Sequence, residues 1–209
     1  MSVERIFNAV KTYAYEKIEK RLPNGIYYHD LDHTKEVLAA VEFISEVEGI
    51  TPEDLFLVKT AAVFHDIGFI FQYKDNEEIA AREIKKILSG FGYSKAQVWR
   101  IEKIILATKM EDFGGVLKQV PEENDFLQKI MCDSDLSYLG TDEFFLKSDL
   151  LRIEKHIHGK IKKSKEEWDK ENLVFLKNHE YFTNGCRLWR DEGKKKNLEI
   201  LESRIKNLH

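Results

Sequence analysis

Apolar residues recur three and four positions apart along most of this chain, which is the period of an amphipathic α-helix. The first such segment follows Ser2, a residue type that caps helix N-termini, and it is predicted to end near Arg21. A second closes at Gly49, and a third opens where Thr51 precedes a proline and stops at Gly68. The same pattern predicts later helices over residues 76–88, 94–108 and 121–139, and others that begin at Thr141 and Ser164.

The rest of the pattern argues against a sheet protein. Strand-like alternation does not recur at regular spacing, and only 3 prolines interrupt a chain rich in Glu, Lys, Leu, Ile and Ala. The 209 residues, 43% of them hydrophobic, are enough to bury a sizeable core, and neither an internal repeat nor a linker divides them. We therefore predict an all-α fold, a single helical bundle that spans residues 1–209.

Three stretches allow two interpretations each. Residues 69–73 fit either a short strand or an aromatic loop, and the sequence does not choose between them. Residues 109–120, which include Gly114 and Gly115, are predicted to form a mobile loop that acts as a connector in preference to a lid. The apolar stripe of the last helix is predicted to pack on the protein's own core in preference to a partner, and it consists of Leu198, Leu201, Ile205 and Leu208.

Charge and composition narrow the possible functions. A net charge of -4 and a pI near 6.0 argue against a partner that is a nucleic-acid polymer, because phosphate backbones require a concentrated basic face. The longest apolar run, residues 55–64, is interrupted by Lys59 and is too short for a bilayer, and the N-terminus lacks the apolar core of a signal peptide. Cys132 and Cys186 have no CxxC spacing, which favours a reducing compartment. These features predict a cytoplasmic protein without a membrane partner.

Titratable side chains stand where the helical pattern predicts core. The stretch AVFHDIGF places His65 and Asp66 at the end of an apolar helix. His29 and His33 lie four residues apart at the start of the second helix, so they are expected to project from one face. An unpaired buried charge costs several kcal/mol, so these groups need a partner.

Two further carboxylates lie in the segment MCDSDLSYLG. Asp135 is four residues from both Met131 and Leu139, so it falls on an apolar side of its helix, and Asp133 lies two residues before it. Imidazoles and carboxylates that converge from three helices form a nitrogen and oxygen ligand set. A divalent metal ion would neutralise the acids and use the histidine lone pairs, so we predict a metal site.

In these three segments the chain resembles the HD-domain superfamily of metal-dependent phosphohydrolases. The matching stretches are YHDLDHT at residues 28–34, FHDIG at residues 64–68 and CDSDLSYLG at residues 132–140. The likeness covers roughly residues 25–145, which it identifies as a metal-binding core with flanking N- and C-terminal helices. It implies that the metal ligands are His33, His65, Asp66 and Asp135.

Three other residues have candidate roles in catalysis. By the resemblance, His29 matches the histidine that protonates the leaving oxygen in the related cyclic-nucleotide phosphodiesterases; the alternative is a helix-start residue that binds its own backbone. Glu77 is a candidate to orient or deprotonate a water, or else an ordinary acidic residue of a first helical turn. Lys109 is a candidate to contact a substrate phosphate, or else a common helix C-terminal lysine.

The chain departs from dinuclear relatives, because the interval from Ile67 to Ser134 contains no histidine and Asn76 stands where relatives often carry one. This favours one tightly held ion; the alternative is a second ion bridged by Asp66 and completed by water or substrate. The identity of the metal is open among Mn, Fe, Co, Ni, Zn and Mg. The resemblance implies a phosphohydrolase that acts on a phosphomonoester or phosphodiester, such as a nucleotide or a similar small phosphorylated molecule. Two alternatives are a sensor module that binds metal and nucleotide without catalysis, and a di-iron oxygenase, which needs more histidines. The oligomeric state is left open.

Overall fold

Nine α-helices account for most of the residues that the computed structural model describes, which are 2–159 and 162–207. The helices are α1 Val3–Arg21, α2 Leu31–Glu48, α3 Pro52–Phe64, α4 Asn76–Gly90, α5 Lys95–Leu106, α6 Phe126–Asp135, α7 Phe144–Ile157, α8 Lys165–Asn178 and α9 Asn184–Lys206. One antiparallel hairpin joins β1, Met110–Asp112, to β2, Leu117–Gln119. The prediction of an all-α fold is confirmed.

The helix starts follow the capping signals of the sequence. Ser2 accepts a hydrogen bond from the backbone N–H of Arg5, and Thr51 accepts one from that of Asp54. Ser164 forms a capping box at the start of α8, as predicted, and α2 closes at Gly49 with a left-handed φ of 65°. Local signals alone therefore place these ends correctly.

Two predicted starts are wrong: the helix predicted to begin at Thr141 begins at Phe144, and the helix predicted over residues 121–139 is shorter at both ends. Asp125 caps the helix by accepting from the backbone N–H of Gln128, and it also forms an ion pair with Arg100 of α5. The side chain of Gln128 accepts from the backbone N–H of Glu122 at 2.7 Å, which satisfies the preceding turn without a helix. At the other end the helix stops at Asp135, and Ser137–Gly140 forms a separate 3-10 turn.

Residues 69–73 and 109–120, two of the three stretches with two interpretations, also differ from expectation. Residues 67–70 form a 3-10 turn, so neither the strand nor the open loop is correct for the start of the aromatic stretch. The predicted irregular loop at residues 109–120 is a hairpin in which Met110 pairs with Gln119. Gly114 and Gly115 have φ values of 69° and 96°, which are the left-handed values that a tight hairpin turn requires.

The apolar residues form two clusters. The larger contains buried residues of α1 to α6, and the smaller surrounds Tyr28, Leu139, Phe144 and Leu201. Leu198 and Ile205 pack against the smaller cluster, as predicted for the stripe of the last helix, whereas Leu208 lies outside the described residues. In the part of the chain that is described, no helix has the length and apolar character needed to cross a membrane.

His179, which is not one of the metal-ligand candidates, makes the free energy of unfolding sensitive to pH. His179 follows α8; its Nε2 is buried with no hydrogen-bond partner among the described residues, and its Nδ1 lies 3.4 Å from the Lys194 ammonium. Burial, and then the charge of Lys194, lower the pKa of His179 to about 3. The folded protein therefore stabilises this ring in its neutral form.

We expect this histidine to destabilise the protein in mild acid. In the unfolded chain His179 takes up a proton near pH 6.5, whereas in the folded chain it does so only near pH 3. The free energy of unfolding is therefore highest above pH 6.5 and falls as the pH is lowered between these two values. Between pH 7.5 and 5.0, the free energy of unfolding should fall by about 1–2 kcal/mol more in the wild type than in His179→Gln. Urea unfolding of both proteins at each pH measures this difference, and equal losses would contradict it.

Candidate metal centre

His33 enters the candidate metal centre from the first turn of α2. The N-cap residue Asp30 accepts hydrogen bonds through Oδ1 from the backbone N–H groups of Asp32 and His33, both at 2.9 Å. The ring of Tyr28 packs against the His33 imidazole with 4.7 Å between ring centroids. The buried imidazole is therefore held by a capped helix start and by an aromatic side chain.

His65 and Asp66 come from the end of α3. The Nδ1 atom of His65 lies 2.8 Å from the carbonyl oxygen of Ala62, one turn earlier. Because a carbonyl only accepts, Nδ1 carries the proton of the neutral ring and Nε2 presents a lone pair. Asp66 follows directly and is also buried, so this helix end contributes one imidazole nitrogen and one carboxylate.

Ligand-type atoms from three helices meet in this place. The Nε2 atoms of His33 and His65 are 3.3 Å apart, and Oδ2 of Asp66 lies 3.4 Å from the first and 3.0 Å from the second. Oδ1 of Asp135 is 3.2 Å from His33 Nε2 and 3.5 Å from His65 Nε2. His33, His65 and Asp66 offer ligand atoms that all lie within 4.8 Å of one another. The structure therefore brings together the four residues predicted as ligands.

These distances fit a metal ion. Ligands about 2.1 Å from an ion are about 3.0 Å from their neighbours in an octahedral site and about 3.4 Å apart in a tetrahedral one. The nitrogen-to-oxygen separations here run from 3.0 to 3.5 Å. In addition, Oδ2 of Asp66 is buried and has no hydrogen-bond partner among the described residues, although buried polar atoms are rarely left without one. The His-His-Asp cluster could hold a divalent ion.

The electrostatics of the cluster point the same way. Burial lowers the pKa of His33, but the carboxylates of Asp135 and Asp66 outweigh it and raise the pKa to about 9. Burial opposes the charged form of His65 in the same manner, and the same two carboxylates raise its pKa well above the ordinary value. The two carboxylates thus favour a positive charge on the facing nitrogens when no metal is bound. A divalent ion would supply that positive charge in place of protons.

The predicted helix over residues 121–139 would place Asp135 within the helix, but Asp135 is the last residue of α6. The helix ends there because Leu136 has φ and ψ of -97° and 9°. Its second oxygen, Oδ2, accepts a hydrogen bond at 2.7 Å from Nε2 of Gln119, the last residue of β2. Gln119 could not be predicted as a partner of Asp135, since its position depends on the register of a hairpin that was not predicted.

Asp133 has a different task from Asp135. Its carboxylate is fully buried and accepts from the backbone N–H of Phe182, and from both the backbone N–H and the hydroxyl of Thr183, at 2.6–2.8 Å. Burial raises its pKa to about 6 in spite of these donors. Asp133 therefore fixes the start of α9 and takes no part in the cluster.

His29 precedes the N-cap of α2, so it lies outside the helix and the predicted helical spacing to His33 does not apply. Its ring nonetheless reaches the cluster, with 5.8 Å between the centroids of His29 and His33, and it stacks on Phe69 at 4.3 Å. Nδ1 lies 2.5 Å from Oε1 of Glu154, a fully buried residue of α7. The alternative of a ring bound to its own backbone is therefore not what the structure shows.

Glu154 was missed in the sequence, although a signal for it exists. It accepts through Oε2 from the backbone N–H groups of residues 27, 28 and 29 at 2.9–3.1 Å. Burial raises its pKa, but the charge of His29 and these donors outweigh that and lower it below the ordinary value. Leu150, Leu151 and Ile157 lie at helical spacing around Glu154, so it stands on an apolar face as Asp135 does.

The other two predicted residues lie at the start of α4 and at the end of α5. Burial raises the pKa of Glu77, and the negative charges of Asp66 and Asp135 raise it further, so its carboxylate is close enough to respond to both. Lys109 forms an ion pair with Glu78, which raises the pKa of its ammonium group. Its role towards a phosphate stays a prediction.

Gly68 fixes the backbone that follows the two ligands of α3. A Cβ atom at this position would lie 2.0 Å from the backbone oxygen of Asn76, the first residue of α4. Only glycine allows so close an approach. The 3-10 turn and the start of α4 are therefore packed directly against each other.

Together these features define a class of protein, a helical fold with a buried cluster of histidine and aspartate side chains at the ends of three helices. The sequence matches the HD domain family over residues 30–177. The chain therefore belongs to the HD domain family, as its three motifs indicated. The matched region extends beyond residue 145 and includes Glu154.

Several solved structures share the fold. The Lin1889 protein of Listeria innocua is 18% identical, with a TM-score of 0.65 over 100% of this chain and 98% of that one. A protein of Lactobacillus plantarum is 16% identical, with a TM-score of 0.70 over 100% and 99%. Bacillus subtilis YpgQ, solved in complex with ADP, is 19% identical, with a TM-score of 0.58 over 99% and 96%. No curated protein matches the chain.

Proposed function

We propose that this protein is a metal-dependent phosphohydrolase that acts on a small phosphate ester. The observation that carries the proposal is the convergence of His33, His65, Asp66 and Asp135 beside the His29–Glu154 pair. Such a site combines a place for a divalent ion with a histidine whose ring lies beside the candidate ligand His33. The ADP bound to the similarly folded YpgQ supports a nucleotide or a related small molecule as the substrate class.

A divalent ion held by His33, His65, Asp66 and Asp135 would polarise a phosphoryl oxygen and would lower the pKa of a nearby water. The carboxylate of Glu77, whose pKa burial has raised, would accept a proton from the attacking water. As the water oxygen bonds to phosphorus and the bond to the leaving oxygen breaks, His29 would donate a proton to that oxygen. Lys109 would break its ion pair with Glu78 and contact the substrate phosphate instead.

The described histidines other than the two candidate ligands are engaged elsewhere, which gives no support to a di-iron oxygenase. His29 contacts Glu154, His158 contacts the carbonyl oxygen of Asn24, and His179 contacts Lys194. His156 is exposed on α7. A second iron would have to take histidines that contact other groups or, in the case of His156, one that is exposed on α7.

A phosphate-release screen tests the proposal. The purified protein is analysed for bound metals, then supplied with each candidate ion and assayed against nucleotides, sugar phosphates and synthetic diesters. Metal-dependent release of phosphate or of a phosphomonoester is the expected result. Tight binding of metal and ADP with no turnover of any substrate would overturn the proposal and favour the sensor module.

The His29–Glu154 pair is expected to matter for turnover and not for metal content. General acid catalysis contributes roughly 10²–10⁴-fold, so His29→Ala should lower kcat by about that factor for substrates with poor leaving groups and much less for a nitrophenyl ester. Glu154→Gln should also lower kcat with the same leaving-group dependence, because an amide has only one acceptor oxygen where the carboxylate now uses two. The loss should be smaller than in His29→Ala, since the imidazole itself remains. Equal losses on both kinds of substrate would contradict the assigned role.

A further inference from the structure

Gln119 is a buried residue in a hairpin that is otherwise mostly exposed. It is 6% exposed, whereas its neighbours Lys118 and Val120 both lie at the surface. The pairing of Gln119 with Met110 fixes its register, so its side chain is directed inward by the hairpin itself. A polar side chain buried in this way needs a specific reason.

The amide of Gln119 is engaged by two acceptors. Its Nε2 donates to Oδ2 of Asp135 at 2.7 Å and to the carbonyl oxygen of Thr108 at 2.9 Å. Because both neighbours only accept, the atom between them must be the nitrogen of the amide. The carboxylate of Asp135 is therefore divided: Oδ2 is held by the hairpin, and Oδ1 faces the two imidazoles.

The other end of the amide has no partner. Oε1 of Gln119 is buried and accepts no hydrogen bond from any described residue. The oxygen and nitrogen of an amide are roughly 2.3 Å apart, so Oε1 lies within about 5 Å of Asp135 Oδ2. A buried acceptor in a folded protein usually has a hydrogen-bond donor. For Oε1 of Gln119 that donor would have to come from a molecule bound in the site.

We propose that Gln119 is a positioning residue of the metal centre, which turns Oδ1 of Asp135 towards the ion and ties the hairpin to it. The inference rests on the metal site that the proposed function also requires. It assigns a task to residues 109–120 beyond that of a connector. It also explains why a hairpin of two three-residue strands ends on a glutamine that points inward.

The test compares the affinity for Mn²⁺ alone, measured by competition with a chelator, in the wild type, Gln119→Leu and Gln119→Asn. Loss of an outer partner of a metal ligand typically weakens metal binding about 10- to 100-fold, and we expect that loss in Gln119→Leu. Gln119→Asn keeps the amide but is one methylene shorter, so its affinity should also fall. Thermal melts of the metal-free proteins report whether either variant is merely unfolded.

Gln72→Leu is the matched control, because this exposed glutamine also donates to a carbonyl oxygen, that of Lys74, but contacts none of the candidate ligands. Its affinity for Mn²⁺ should equal that of the wild type. Wild-type affinity in both Gln119 variants would overturn the inference, whichever substrates the protein hydrolyses. Absence of phosphohydrolase activity in the wild type would overturn the proposed function and leave this comparison of metal affinities intact.

Discussion

Replacing His65 and Asp66 together with alanine is expected to abolish metal binding and, with it, any phosphohydrolase activity. The double variant removes the imidazole nitrogen and the carboxylate oxygen that lie 3.0 Å apart at the centre of the cluster. The remaining pair, His33 and Asp135, offers two ligands where a stable site needs at least three or four. Elemental analysis should therefore change from about one ion per chain to almost none.

A matched control separates this effect from a general change in charge or stability. His156→Ala combined with Asp149→Ala removes the same two residue types from α7, where His156 is exposed and Asp149 pairs with Arg152 at the surface. This control should retain both metal and activity. A His65 and Asp66 double variant that still carries stoichiometric metal would show that the ion binds elsewhere.

Replacing Gly68 with alanine is expected to destabilise the whole protein. The added methyl would meet a backbone oxygen of Asn76 at 2.0 Å, and a backbone atom cannot be rotated away as a side chain can. Overpacking of this kind costs about 3 kcal/mol, which for a domain of this size lowers the melting temperature by roughly 6–12 °C. The variant should also bind metal more weakly, because the displaced turn carries Asp66.

Gly90 provides the control for this substitution. It is the last residue of α4, and a Cβ atom there would meet nothing within 4 Å. Gly90→Ala should leave stability unchanged or raise it by about 0.5–1 kcal/mol, since alanine restricts the unfolded chain more than glycine does. Melting curves recorded with a chelator remove the contribution of the metal, and a Gly68→Ala curve that matches the wild type would refute the packing argument.

Much of this fold was predictable because its signals are local. The starts of α1 and α3 follow from caps and the end of α2 from a glycine stop, and each involves only neighbours in the sequence. The predicted stop of the third helix at Gly68 is too late, because α3 ends at Phe64. The candidate ligands were predictable for a related reason, since a carboxylate such as Asp135 on an apolar face is visible in a single sequence. The family match over residues 30–177 agrees with the order of those motifs.

What could not be predicted depends on contacts between distant segments. Gln128 and Arg100 decide where α6 begins, and neither contact can be read from the helical period. Glu154 lies 125 residues from His29, so its role emerges only when α7 packs beside the start of α2. Gln119 depends on the hairpin register in the same way. These residues surround the predicted ligands and determine how they are oriented.

The two aspartates of α6 give this short helix two different attachments. Asp133 holds the residues that begin α9, the longest described helix, while Asp135 belongs to the metal-ligand cluster. With only one residue between them, a shift of one carboxylate must be transmitted to the other. We therefore expect occupancy of the metal centre and anchoring of the C-terminal helix to be coupled, so that metal binding protects α9 from local unfolding.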